Sequence, residues 1–488
     1  MKNMKPKTCA FLLLFIVAGW IAQSGFTNIP TKDSTSASTL NSTNTSNAFF
    51  ASPEKNYQNY CGGCHGERMD AFVDRKWKHG TSEPDLFKAI KVGYPDEGMP
   101  GFDTTFNDEE IKDLVDYMIT GIKNVKRYEP TEAIRSHIFK TEKLTVRLDT
   151  IAKGFNIGWG FVFLPGGDIL LTERDGRLFR VSKNKQLQPI EGVPEVAAEG
   201  QGGLLDVILH PGFKNNSVVY LSYSKPKKVN DTLLYTTAVT RAVLKNNTLT
   251  GQKIIFEALP YARTKHHYGS RMAFDKNGYL YITVGDRGTE KQFPQNVNFS
   301  PGKTHRIKED GSIPADNPFV KTHGAVPSVY SYGHRNQQGM AVHPKTGEVW
   351  THEHGPRGGD EINILQKGKN YGWPVISYGI NYNGTVLTKI SNKQGMEQPL
   401  LYWIPSIGPS GMAFVKGNKY KGWEGNLLVG SLRFKYLNRC EIKGNKVVKE
   451  ELLFKNIGRL RDVRMAPDGY IYISVENPGV LLRLTPVK

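Results

Sequence analysis

A small all-α domain followed by an all-β six-bladed β-propeller is the fold class this sequence predicts, and three observations predict it. Near residue 60 a Cys-x-x-Cys-His run is followed, some forty residues on, by an amphipathic helical stretch. From residue 161 onward one pattern recurs six times: apolar strand, Pro/Asp/Gly/Asn turn, second apolar strand, Glu/Asp/Gly turn. Over that same region helical periodicity is nearly absent, while β-branched and aromatic residues alternate.

The chain opens with "MKNMKPKTCAFLLLFIVAGWIAQSG", a lysine-bearing start and an apolar run of signal-peptide length that is short for a bilayer span. Residues 1–25 are therefore expected to be a signal peptide, which makes the mature protein exported and, in a bacterium, periplasmic. No cysteine follows the apolar run, so a lipoprotein anchor is not indicated. The tract "TKDSTSASTLNSTNTSN" cannot bury a core and reads as a Ser/Thr-rich linker over 26–47. The remainder suffices for a domain over 48–130, a linker over 131–142 and one large domain over 143–488.

In "YCGGCHGERMD" the spacing fits covalent haem attachment, with Cys61 and Cys64 forming thioethers and His65 reaching the iron. A redox dithiol would want a βαβ context, and a zinc site would want a second ligand pair nearby; neither is present. "EGMPGF" offers Met99 as the sixth iron ligand on a stiff turn, against the plainer reading of a surface methionine. "FNDEEIKDLVDYMITGI" reads as an amphipathic helix capped by Asn107 or Asp108, with Ile111, Leu114, Val115, Met118 and Ile119 on one face. Together these features resemble a small class I cytochrome c domain carrying haem c. Of the four cysteines, Cys9 lies in the leader and Cys440 reads as a buried apolar residue, so no disulfide framework is expected.

The formal charge of +18 rests on scattered lysines. It suits solubility, peripheral attraction to the envelope or acidic redox partners rather than nucleic acid. The six repeats lie roughly 45 to 70 residues apart, near or above a usual propeller blade, so some blades carry insertions; a stack of unrelated hairpins is the alternative. Propellers place functional residues on loops around the central channel, and three loops stand out. "KHHYGSRM" sets His266 and His267 beside Arg271, as a proton acceptor or as structural histidines. "SYGHRNQQGM" pairs Arg335 with Asn336. "EHGPRGGDEINILQKGKNYGWP" carries Asp360 and Glu361 after a Gly-Pro bend, hard oxygen ligands suited to calcium or else a charged solvent turn.

Read together, "GQGGLLDVILHP", "HYGSRMAFD", "SYGHRNQQGMAVHP", "EHGPRGGDEINILQKGKNYGWP", "PSGMAF" and "RLRDVRMAPDGYIYI" resemble the soluble aldose sugar dehydrogenases. These are calcium-dependent quinoproteins that use pyrroloquinoline quinone (PQQ). The resemblance implies His267 as base and Gln201 near substrate and quinone. It implies Arg335 and Asn336 beside the reactive quinone carbonyl, and Ser406 among the cofactor contacts. Gly355 and Pro356 match the carbonyls that hold the PQQ-bound calcium, and Glu361 and Tyr371 match part of a second, structural calcium site. Arg459 and Arg461 match the pair that grips cofactor carboxylates. Two positions depart from the family pattern: a lysine becomes Arg433, and an aspartate becomes Glu476. Charge is kept but geometry is not, which puts cofactor affinity in question.

The function so implied is oxidation of an aldose at its anomeric carbon to a lactone, with electrons passed to haem c and on to a downstream respiratory acceptor. Two alternatives stay open: a calcium-dependent propeller lactonase, and a non-catalytic sugar-binding propeller attached to an electron carrier.

Overall fold

The computed structural model describes residues 52–66, 69, 72, 77–125, 137–288, 291–476 and 479–487. The expected signal peptide and Ser/Thr-rich linker lie outside the described residues, as does the second linker as far as residue 136.

The first part is helical. Pro53–Asn56 leads through a π-helical turn, Tyr57–Cys61, into Gly62–His65, so Cys61, Cys64 and His65 share one continuous helical run. Glu83–Val92 starts at a capping box, in which Ser82 Oγ accepts from Asp85 N and Asp85 Oδ2 accepts from Ser82 N. Asp108–Val125 starts the same way. Asn107 Oδ1 accepts from Glu110 N and Glu110 Oε2 accepts from Asn107 N, each at 2.9 Å, so Asn107 is the cap. Its apolar stripe, Ile111, Leu114, Val115 and Met118, is fully buried against Tyr57, Cys61, Leu86 and Ile90. Met99 packs on the same cluster, at a bridge to Tyr94.

The second part is a six-bladed propeller. Five blades are simple four-stranded antiparallel sheets, running from Gly158–Phe163 at the start of the first to Lys446–Leu453 at the end of the fifth. The sixth joins Arg459–Met465, Ile471–Glu476 and Gly479–Val487 to two strands from far earlier, Thr145–Phe155 and Ile138–Lys140. Pairing there runs from Thr145 opposite Val487 to Phe155 opposite Gly479, which ties the start of the propeller to its end and removes two open sheet edges. Ile138–Lys140, in the expected linker, is thus the outermost strand of this blade.

Apolar side chains fill the spaces between blades, and Cys440 is wholly buried among them. The central channel is polar instead. Arg271 lies 3.5 Å from Asp206 and 3.2 Å from Asp462, and Arg464 pairs with the same two carboxylates. Buried charges need partners of this kind. Arg271 therefore fills the channel rather than standing beside the histidines as the sequence suggested. Among the described residues no helix is long and apolar enough to cross a membrane.

Candidate active site

His267 sits on the loop entering the third blade, with φ of 53°, a left-handed conformation unusual outside glycine. Such a residue costs about 1–3 kcal/mol, more than one ordinary hydrogen bond of about 1 kcal/mol offsets. Several contacts hold it. Gln201 Oε1 accepts from His267 N at 2.9 Å. Wholly buried Arg287 donates to the carbonyls of His266 and Thr264, each at 2.5 Å, and stacks on Tyr268. Asn336 Oδ1 accepts from Gly269 N at 3.1 Å, so the predicted cofactor contact also supports this loop.

The imidazole is oriented by a residue that sequence reasoning missed. His267 Nδ1 lies 2.7 Å from Asp286 Oδ1, while Asp286 Oδ2 accepts from Trp373 Nε1 at 2.8 Å and Oδ1 from Gly288 N at 2.8 Å. Burial would raise the Asp286 carboxyl, but His267, Arg335 and the Gly288 N–H hold it well below the usual range. Burial, aided by the positive charge of Arg335, pulls His267 below its ordinary value. The ring is thus neutral at pH 7, with its Nε2 side left to meet a proton. The available signal for Asp286 was "VGDRG", a strand followed by an acid at the mouth of the same blade.

Arg335 reaches the next loop, where its NH1 donates to Gly355 O at 2.7 Å and to His354 O at 3.2 Å. Ser406 Oγ donates to Pro356 O at 3.1 Å, and Arg433 NH1 donates to Ser406 O at 3.3 Å. Arg459 follows, with NH1 on Leu432 O. Glu476 ties the last pair together: its Oε2 is 3.0 Å from Arg459 Nε and its Oε1 2.5 Å from Arg461 Nε. Burial opposes its charge, but the two guanidiniums bring the Glu476 carboxyl down to about 2. Eleven predicted residues, from Gln201 round to Glu476, are thus linked, directly or through an adjoining residue, around one end of the propeller.

Glu361 and Tyr371 stand apart from it. Asp360 and Glu361 open a strand, Asp360–Ile364, rather than occupying a turn. Asp360 accepts from Gly355 N and Gly408 N, each at 2.8 Å, and so pins the Gly-Pro bend; burial raises its carboxyl to about 6. Glu361 faces Glu353 directly across the ladder, and burial together with that like charge pushes it up. Tyr371 donates its hydroxyl to Ile364 O and stacks on His334, which in turn bonds Glu353.

The profile of the glucose/sorbosone dehydrogenase family matches residues 155–483. The chain belongs to that family. Residues 48–118 match the profile of cytochrome c oxidase, cbb3-type, subunit III, which adds a cytochrome c domain at the N-terminal side. An aldose sugar dehydrogenase, YliI, of Escherichia coli (strain K12) is 41% identical over 350 residues, covering 70% of this chain and 93% of its own. Quinoprotein glucose dehydrogenase B of Acinetobacter calcoaceticus is 29% identical over 438 residues, covering 70% and 90%. Among solved structures, the soluble aldose sugar dehydrogenase from Escherichia coli in its apo form aligns with a TM-score of 0.66 at 39% identity, over 70% of this chain and all of that one. The PQQ-bound aldose sugar dehydrogenase from Streptomyces coelicolor aligns with a TM-score of 0.59 at 27% identity, over 72% and 100%. The family part of the chain is the propeller, and the helical domain is its addition.

Proposed function

We propose that this chain is an exported PQQ-dependent aldose dehydrogenase that oxidises sugars at the anomeric carbon to lactones and passes the electrons to its own haem c. The observation that carries the reading is the His267–Asp286 pair at an arginine-lined propeller mouth, in the same chain as a Cys-x-x-Cys-His helix.

The residues present suit each group. Arg459 and Arg461 share one carboxylate, and Arg461 is depressed by burial and by Arg459 and Arg271 nearby, so the mouth carries surplus positive charge that a tricarboxylate neutralises. Arg433 and Glu476, which replace the family's lysine and aspartate, keep this charge pattern. For the haem, Cys61 is buried in an apolar cluster and its thiol is pushed up to about 12 by burial and by Cys64. His65 stacks on Phe72 at 4.4 Å, and Met99 lines the same cluster as the candidate distal ligand. For calcium, the carbonyls of Gly355 and Pro356 offer hard oxygens on a pinned bend, and Glu361, raised by burial and by the facing Glu353, would offer a carboxylate to a second cation. Tyr371, its hydroxyl engaged, would offer its main-chain carbonyl there.

When bound, PQQ supplies the electrophilic carbon that takes the hydride. His267 takes the proton of the anomeric hydroxyl at Nε2, and Asp286 stabilises the imidazolium that results. Arg335 places positive charge where negative charge develops, and a calcium ion held by the carbonyls of Gly355 and Pro356 would add to it, each effect being about a few kcal/mol. Gln201 keeps the His267 main chain in register.

Asp286→Asn removes the charge that favours protonated His267. Turnover should fall about 10²-fold, and the acid limb of the kcat/KM profile should move to lower pH. A limb that moves upward, or an unchanged rate, would refute the pairing.

The whole reading is tested by adding an aldose to the chain reconstituted with PQQ and calcium. The haem should be reduced within a turnover, at a rate independent of protein concentration because the domains are tethered. A rate that scales with concentration would mean transfer between molecules, and absence of reduction would assign the cytochrome to another donor.

A further inference from the structure

The helical domain touches the propeller at the mouth itself. Lys265 N donates to Asp96 O at 2.9 Å, and Gly98, beside Met99, lies against the His266 ring. Lys78 pairs with Glu199 at 3.2 Å across the same boundary. On the other side of the mouth the contacts come from the insertion between Asp360–Ile364 and Leu401–Trp403. Thr105 Oγ1 donates to Asn383 O at 2.6 Å, and Gly384 borders the Tyr60 ring. Arg357, next to Pro356, exchanges two main-chain hydrogen bonds with Ile380 and lies over Tyr60 at 4.3 Å. The haem-attachment helix is thereby turned towards the site, and a side chain built on Gly63 would meet the Arg433 guanidinium at 3.6 Å.

Tyr382 belongs to the same insertion. Its neighbour Asn383 holds the helical domain, and its own ring lies 5.8 Å from the Arg335 guanidinium. Two residues on, Gly384 borders Tyr60, the residue before Cys61. Burial raises the Tyr382 hydroxyl, with Arg335 opposing.

We propose that Tyr382 is the bridging side chain between the haem-bearing helical domain and the Arg335 side of the quinone site, and that electrons leave the propeller across it. This rests on the dehydrogenase reading above. Each crossing moves one electron: ferric iron becomes ferrous, the reduced quinone loses one electron, and no bond in Tyr382 forms or breaks. The downstream one-electron acceptor must reoxidise the haem before the second electron crosses, and the two quinol protons leave to water.

The test uses the full chain loaded with haem, PQQ and calcium. Haem absorbance is followed after mixing with an aldose, and turnover with a small artificial dye is measured in parallel. Tyr382→Phe keeps the ring and should match the natural chain in the ratio of the two rates. Tyr382→Leu should slow haem reduction about tenfold relative to dye-linked turnover. A second readout needs no turnover: carbodiimide cross-linking of the haem-loaded, PQQ-free chain should join Lys78 to Glu199 equally in the natural chain and in Tyr382→Leu. Several results would overturn the proposal: an unchanged rate ratio in Tyr382→Leu, equal losses in both assays, or loss of the cross-link in either protein. Failure of the natural chain to reduce its haem with sugar would instead overturn the dehydrogenase-to-haem reading itself.

Discussion

Replacing His267 with glutamine is expected to lower turnover by about two to four orders of magnitude, with little change in cofactor binding. An amide cannot accept a proton at neutral pH, whereas the imidazole, held neutral by burial and Arg335 and oriented by Asp286, can. His266→Gln is the matched control and should cost far less. His266 is buried, and burial together with the neighbouring His267 brings it down to about 3. Its ring stands edge-on to His267 at 4.5 Å and meets Gly98 on its other side, which describes a packing role. Steady-state kinetics on the two variants separate the readings: equal losses, or a reversed order, would mean that the base has been assigned to the wrong histidine.

Exhaustive chelation is expected to abolish sugar oxidation and to release PQQ from the chain. The bend that offers Gly355 and Pro356 carbonyls is already pinned by Asp360, Arg335 and Ser406, so removing metal should cost the cofactor contact without unfolding the loop. Metal analysis alongside activity and the absorbance of released quinone check this. Full activity in protein shown to be free of calcium would refute the assignment.

Much of this architecture was legible from local pattern. Each blade announces itself by short alternating strands and Gly/Asp turns, because a strand's two faces and a tight turn are set by residues next to one another. The helix from Asp108 and its Asn107 cap were readable for the same reason. The mouth residues His267, Arg335 and Gly355 came from motifs on loops that lead into or between blade strands, and Arg461 from a motif at the start of the strand Arg459–Met465; the fold gathers them as propeller topology requires.

What the sequence by itself determined, then, is the inventory: a Cys-x-x-Cys-His run, six β units, and the residues proposed to move a proton, grip carboxylates or offer oxygen ligands. Only the tertiary structure decided who meets whom. Asp286 becomes the partner of His267 across 19 positions, and residues 145–155 close the ring against 479–487. Arg271 goes to the channel carboxylates, and Tyr382 comes within 5.8 Å of the Arg335 guanidinium. These are long-range contacts, selected by burial of apolar blade faces and by the need of buried charges for partners. No local periodicity carries them, since each partner's surroundings exist only once the ring has closed.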